Sequence, residues 1–109
     1  MRANEFVKEF GWDGAKRVFE LTIGNSWADH YNIKEDSIGT AGTIYSKKLC
    51  EHNDNFVCLR NLKRLVESHE LVREHGSIGR AKDYAQSPYT APEVSERLKQ
   101  AIADVESCQ

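Results

Sequence analysis

A chain of 109 residues, 39% hydrophobic and 29% charged, has the size and mix of one folded domain, which excludes a disordered or low-complexity segment. Its net charge is −2, from 15 basic and 17 acidic residues spread through both halves, which argues against a strongly basic nucleic-acid module or a charged tail. The opening MRANEFVKEF carries charges where a secretion signal needs an apolar run, no stretch approaches the roughly 20 apolar residues of a membrane span, and three cysteines (Cys50, Cys58 and Cys108) are an odd number, so the expectation is a cytosolic protein with free thiols.

The first element reads as two short helices joined at a glycine, over residues 1–20. Phe6, Val7 and Phe10 give one apolar face, and Gly11 ends it by supplying a backbone angle that other residues resist. Ala15, Val18 and Phe19 then form a second face at i, i+3, i+4.

From about residue 21 to 50 the periodicity changes. Trp27, Asp29, Tyr31 and Ile33 alternate with Ala28, His30 and Asn32, the pattern of a strand. Asp36, Ser37, Gly39 and Gly42 mark 34–42 as a turn, and the β-formers Ile44 and Tyr45 predict a returning strand over 43–47. A loop is expected over 51–55.

Residues 56–86 predict a long helix and a second corner. Leu62, Leu65, Val66, His69 and Val72 share one helical face, Gly76 stops it, and Ser77 caps a helix whose Ile78, Ala81 and Ala85 face inward. The two corners repeat a pattern. Glu5 to Lys16 matches Glu70 to Lys82 with one extra residue, Arg80, in the second copy. The alternative is that short amphipathic helices simply resemble one another. The last element is a helix over about 91–107. Thr90-Ala91-Pro92-Glu93 resembles a capping box, and Val94, Leu98, Ala101, Ile102 and Val105 form a sustained stripe. The expected fold is thus a single α+β domain, with a small antiparallel sheet flanked by an N-terminal helix–Gly–helix corner and three C-terminal helices.

Catalytic and metal patterns are weak. Cys50, His52 and Cys58, with His30 or Cys108 as a fourth ligand, match no established zinc spacing, so no metal is expected. Asp29-His30 and His69-Glu70 are sequence neighbours, which do not face each other within a strand or helix. No nucleophile elbow, phosphate loop or H-E-x-x-H occurs. The expectation is a protein without catalysis and without a cofactor.

Two binding surfaces remain. Trp12, Trp27, Tyr31, Tyr45 and Tyr89 are aromatics on corners, strands and loops, a type that anchors protein interfaces; filling a small core is the alternative for Trp27 and Tyr31. Lys47, Lys48, Arg60, Lys63 and Arg64 make a basic group suited to nucleic acid, against the alternative of a solvated helix face. Two similar corners also leave a homodimer open.

Four stretches carry a family likeness: LKRLVESHELV (Leu62 to Val72), LKQAIADVESC (Leu98 to Cys108), EFVKEFGWDGAK (Glu5 to Lys16) and ADHY (Ala28 to Tyr31). Together they resemble small accessory proteins encoded by lambdoid phages and enterobacterial prophages. That resemblance implies a bacterial cytosol and a protein that modulates a host or phage protein by direct binding. It implies no catalytic residue. The alternative is a nucleic-acid-binding regulator using the basic group.

Overall fold

Gly11 sets the path of the first helix. Its backbone lies at φ 75°, ψ 173°, a region essentially reserved for glycine, and it bends α1 (Ala3–Leu21) into two segments. The computed structural model describes residues 1–109, the side chain of Thr43 excepted. In chain order the remaining elements are β1 (His30–Asn32), β2 (Ser37–Gly39), α2 (Thr43–His52), β3 (Phe56–Cys58), α3 (Leu59–Glu74), α4 (Ile78–Gln86) and α5 (Pro92–Glu106), an α+β fold. The chain divides into two compact units, Met1–Arg64 and Leu65–Gln109, with the division inside α3.

In the first unit the sheet order is β2-β1-β3, antiparallel throughout. The register sets Tyr31 opposite both Ile38 and Val57, and His30 opposite both Gly39 and Cys58. Because side chains alternate across a pleat, Tyr31 and Val57 share one face and His30 and Cys58 the other. Tyr31 and Val57 are buried, as are Phe6, Val7, Ala15 and Val18 of α1. The Phe6 ring meets Tyr31 edge-on, with centroids 6.0 Å apart. Asp36 turns the β1–β2 hairpin at φ 51°, an angle aspartate tolerates better than most residues. Its carboxylate accepts hydrogen bonds from the Tyr31 hydroxyl and from Arg17, at 2.8 and 3.2 Å for the latter. The Arg17 guanidinium foremost, and then the Tyr31 hydroxyl, hold the Asp36 carboxyl below its ordinary value.

The sheet departs from the sequence expectation in three places. The strand expected across Trp27 to Ile33 is confined to His30–Asn32, because Trp27 and Ala28 lie in a turn closed by Ala28 N–H donating to Asn25 O at 3.1 Å. The returning strand is Ser37–Gly39; residues 43–47, expected to be that strand, open the helix α2 instead. Ile44 and Tyr45 have β-propensity, but among the described side chains of α2 the buried ones are Ser46 and Cys50, one helical turn apart. The third strand, Phe56–Cys58, occupies residues expected to begin the long helix, which starts at Leu59.

In the second unit α4 and α5 pack on each other. Ala81 and Ala85 are buried in α4, and Leu98, Ala101, Ile102 and Val105 in α5, so small side chains on one helix admit large ones on the other. The pairing is pinned by Ser95 Oγ donating to Ala85 O at 2.6 Å and by the Lys82–Glu106 ion pair at 2.9 Å. The fully buried Ser68 of α3 donates to Asp104 Oδ2 at 2.7 Å. Gly76 has φ 94°, and Ser77 caps α4 by accepting from Arg80 N–H at 3.2 Å. The expected capping box at Thr90 does not form. Ala91 occupies the cap position, and the Thr90 hydroxyl instead donates to Tyr84 O at 2.6 Å.

Gly11→Ala tests the first corner cleanly. Nothing lies within 4 Å of the position its Cβ would take, so only backbone strain is added. The expected result is a loss of about 1–3 kcal/mol in urea unfolding, with an unchanged helix signal in circular dichroism.

Candidate functional site

The first unit contains an open cleft of about 1230 Å³. Asp29, just ahead of β1, organises the structure around it. Its N–H donates to Gly39 O at 2.9 Å, and its carbonyl accepts from Leu59 N–H at 3.1 Å and from the buried Ser46 hydroxyl at 3.3 Å. The carboxylate accepts from Gly42 N–H at 3.0 Å, from Ala41 N–H at 3.1 Å and from Thr40 Oγ1 at 3.2 Å, and it pairs with His30 Nδ1 at 2.8 Å. One residue therefore ties β1 to β2, to the entry of α2 and to the start of α3. Partial burial alone raises the Asp29 carboxyl, but the bonds from His30, Ala41, Thr40 and Gly42 together outweigh it and hold the group below its ordinary value.

The Asp29–His30 contact corrects the expectation that these neighbours point apart. Alternation applies within a strand, and Asp29 precedes the strand, so its short side chain folds back to the first strand residue. The imidazole is largely covered, at 13% side-chain exposure, with the Phe56 ring edge-on at 5.4 Å. Its Nε2 lies 2.9 Å from where a Cβ on Gly39 would stand. That nitrogen faces Gly39 of the neighbouring strand β2, so the His30 ring packs across the β1–β2 pairing.

Charge in the cleft is mixed. Arg2, Lys47, Arg60 and Lys63 line it together with the acids Glu5, Asp29, Glu51 and Asp54. Met1 also lines the cleft, its ammonium donating to the carbonyls of Cys50 at 2.6 Å, Phe56 at 2.8 Å and Asn53 at 3.2 Å. Of the five basic residues singled out from the sequence, Lys47, Arg60 and Lys63 therefore open on one cleft. Lys48 and Arg64 are exposed but do not line it.

The five aromatics separate. Tyr31 is a correction: at 3% exposure it is a core residue and offers no surface to a partner, because its ring packs on Phe6 and its hydroxyl is taken by Asp36 and Arg17. Trp12 is half-buried just past the Gly11 bend. Tyr89 is 97% exposed and belongs to the second unit. Trp27 and Tyr45, at 56% and 72%, stand in solvent in the first. The Asp29 carboxylate clamps the backbone of Ala41 and Gly42 just ahead of α2, and the first turn of that helix also exposes Ile44. Ile23, at 69% exposure, lies in the chain between α1 and Trp27.

Sequence reasoning missed Ile23, which it did not single out, and the exposure of Ile44, which it read as a β-former of the expected returning strand. It also missed the role of Asp29, whose one local signal was its place next to His30. The residues weighed as zinc ligands do not all converge, although His30 stands opposite Cys58 across the β1–β3 ladder. Cys50 and Cys58 line the cleft, His52 is exposed at the end of α2, and Cys108 lies in the second unit. Among the described residues no three His, Cys, Asp or Glu side chains are grouped to hold a metal ion, and no helix is long and apolar enough to cross a membrane. Compared with protein-family models, curated proteins and solved structures, the chain gives no match.

Proposed function

We propose that this chain is a non-catalytic accessory protein that acts by binding another protein through Trp27, Ile44 and Tyr45, with Ile23 at the edge of the surface. The observation that carries the reading is the exposure of these four side chains within one small unit. Large apolar groups left in water raise the free energy of the isolated chain, and burial against a partner recovers it; aromatic anchors supply most of such binding energy. The sequence resemblance to phage and prophage accessory proteins supports a host or phage protein as the partner, met in the bacterial cytoplasm.

Capture from bacterial lysate tests this with two baits, the wild-type chain and a folded Trp27→Ser/Tyr45→Ser variant. The expected result is one stoichiometric protein on the wild type and at least tenfold less of it on the variant. Equal retention by both baits, or no stoichiometric protein, contradicts the reading. A self-association that closes this surface on a second copy would show as concentration-dependent sedimentation lost in the same variant.

The opening of Lys47, Arg60 and Lys63 onto one cleft favours a second reading, a nucleic-acid-binding regulator. Glu5, Asp29, Glu51 and Asp54 in the same cleft weaken it by opposing phosphate approach. Heparin retention that falls steeply with salt and is lost on Arg60→Ala/Lys63→Ala would favour this reading over the first.

A further inference from the structure

We propose that Cys50 and Cys58 form a two-thiol redox site at the floor of the cleft, able to close into a reversible disulfide. The placement follows from contacts at both ends of the α2 segment that carries Cys50. At one end Ser46 Oγ and Leu59 N–H meet on the same Asp29 carbonyl, at 3.3 and 3.1 Å. At the other, the carbonyls of Cys50 and Phe56 are held by the same Met1 ammonium, at 2.6 and 2.8 Å. Residues 46–50 therefore run alongside residues 59–56. Cys50 shares the inward face of α2 with Ser46, and Cys58 points away from the core face marked by Val57. Both thiols are free and both line the cleft.

The two differ in access, which fixes the order of reaction. Cys58 is part-exposed and Cys50 is buried. Burial foremost, and then the proximity of Cys58, push the Cys50 thiol up, so Cys58 is the group that meets an oxidant first. With a low-molecular-weight disulfide RSSR, the Cys58 thiolate attacks one sulfur, forming a mixed disulfide and releasing RS⁻. Cys50, as its thiolate, then attacks the Cys58 sulfur and releases the second RS⁻. The protein loses two thiol protons and two electrons, and one RSSR becomes two RSH. The product ties α2 to β3 across the cleft floor.

The test treats the folded wild-type chain with oxidised glutathione at mildly alkaline pH, quenches with an alkylating agent and maps the peptides, with circular dichroism followed in parallel. The expected result is the loss of two of the three free thiols as a Cys50–Cys58 linked peptide. Cys108 stays alkylatable, and a reducing agent restores all three. Cys58→Ser should abolish the link and leave Cys50 as a free thiol. A stable glutathione adduct on Cys58 beside a free Cys50, both thiols unchanged, a link to Cys108, or cross-linking only after the circular dichroism signal is lost would each overturn the proposal.

Discussion

Replacing Asp29 with alanine is expected to cost about 3 kcal/mol of folding stability, since it removes a charge-assisted acceptor serving several donors at once. The backbone N–H groups of Ala41 and Gly42 and the Thr40 hydroxyl lose their partner, and so does His30 Nδ1. Asn is the milder change, because an amide oxygen can still accept from Ala41 and Gly42. The effect carries a pH signature. The folded-state carboxyl lies below its ordinary value, so the charged form is favoured by folding. The stabilisation is complete above the unfolded value of about 3.9 and is lost as pH falls through the lower folded value. Urea melts should therefore show wild type well above Asp29→Asn at neutral pH, with the gap closing in acid. A gap that is constant with pH would mean that the carboxylate charge contributes nothing.

The second large effect is expected at Leu98. Its side chain is 1% exposed within the α4–α5 pairing, and its neighbours Ala101 and Ile102 are buried with it. Leu98→Ala removes the branched end of that side chain and leaves a hole that rigid helices fill only in part, at a cost of about 2–5 kcal/mol. Hydrogen exchange should show faster exchange of α4 and α5 amides in the variant. Unchanged protection there would contradict the packing described for the second unit.

What the sequence made legible follows the length of each element. Helix α5 was readable because five apolar positions repeat over more than three turns and Pro92 marks its start. The two corners were readable because glycine alone takes the angles found at Gly11 and Gly76 without strain. The three-residue strands were not readable in the same way. β1 and β3 each offer one buried side chain and β2 none, and β3 runs directly into α3 at Leu59. Helix α2 was misjudged for a related reason. Ile44 and Tyr45, the residues that suggested a strand, are on its solvent side, and its entry is secured by a carboxylate thirteen residues earlier at Gly42. Such a long-range clamp leaves no local pattern. The exposed apolar surface proposed for binding was half legible. Trp27 and Tyr45 were singled out as aromatics, whereas Tyr31, chosen on the same grounds, is in the core because alternation puts it on the face that packs against α1.

Hydroxyl-radical footprinting of the chain, alone and with its captured partner, tests the central claim most directly. The account predicts that Trp27 and Tyr45 are oxidised readily in the free chain, that Tyr31 is spared, and that partner binding protects Trp27 and Tyr45 while leaving Tyr89 reactive. Trp27 and Tyr45 as slow as Tyr31 in the free chain, or unprotected in the complex, would contradict it.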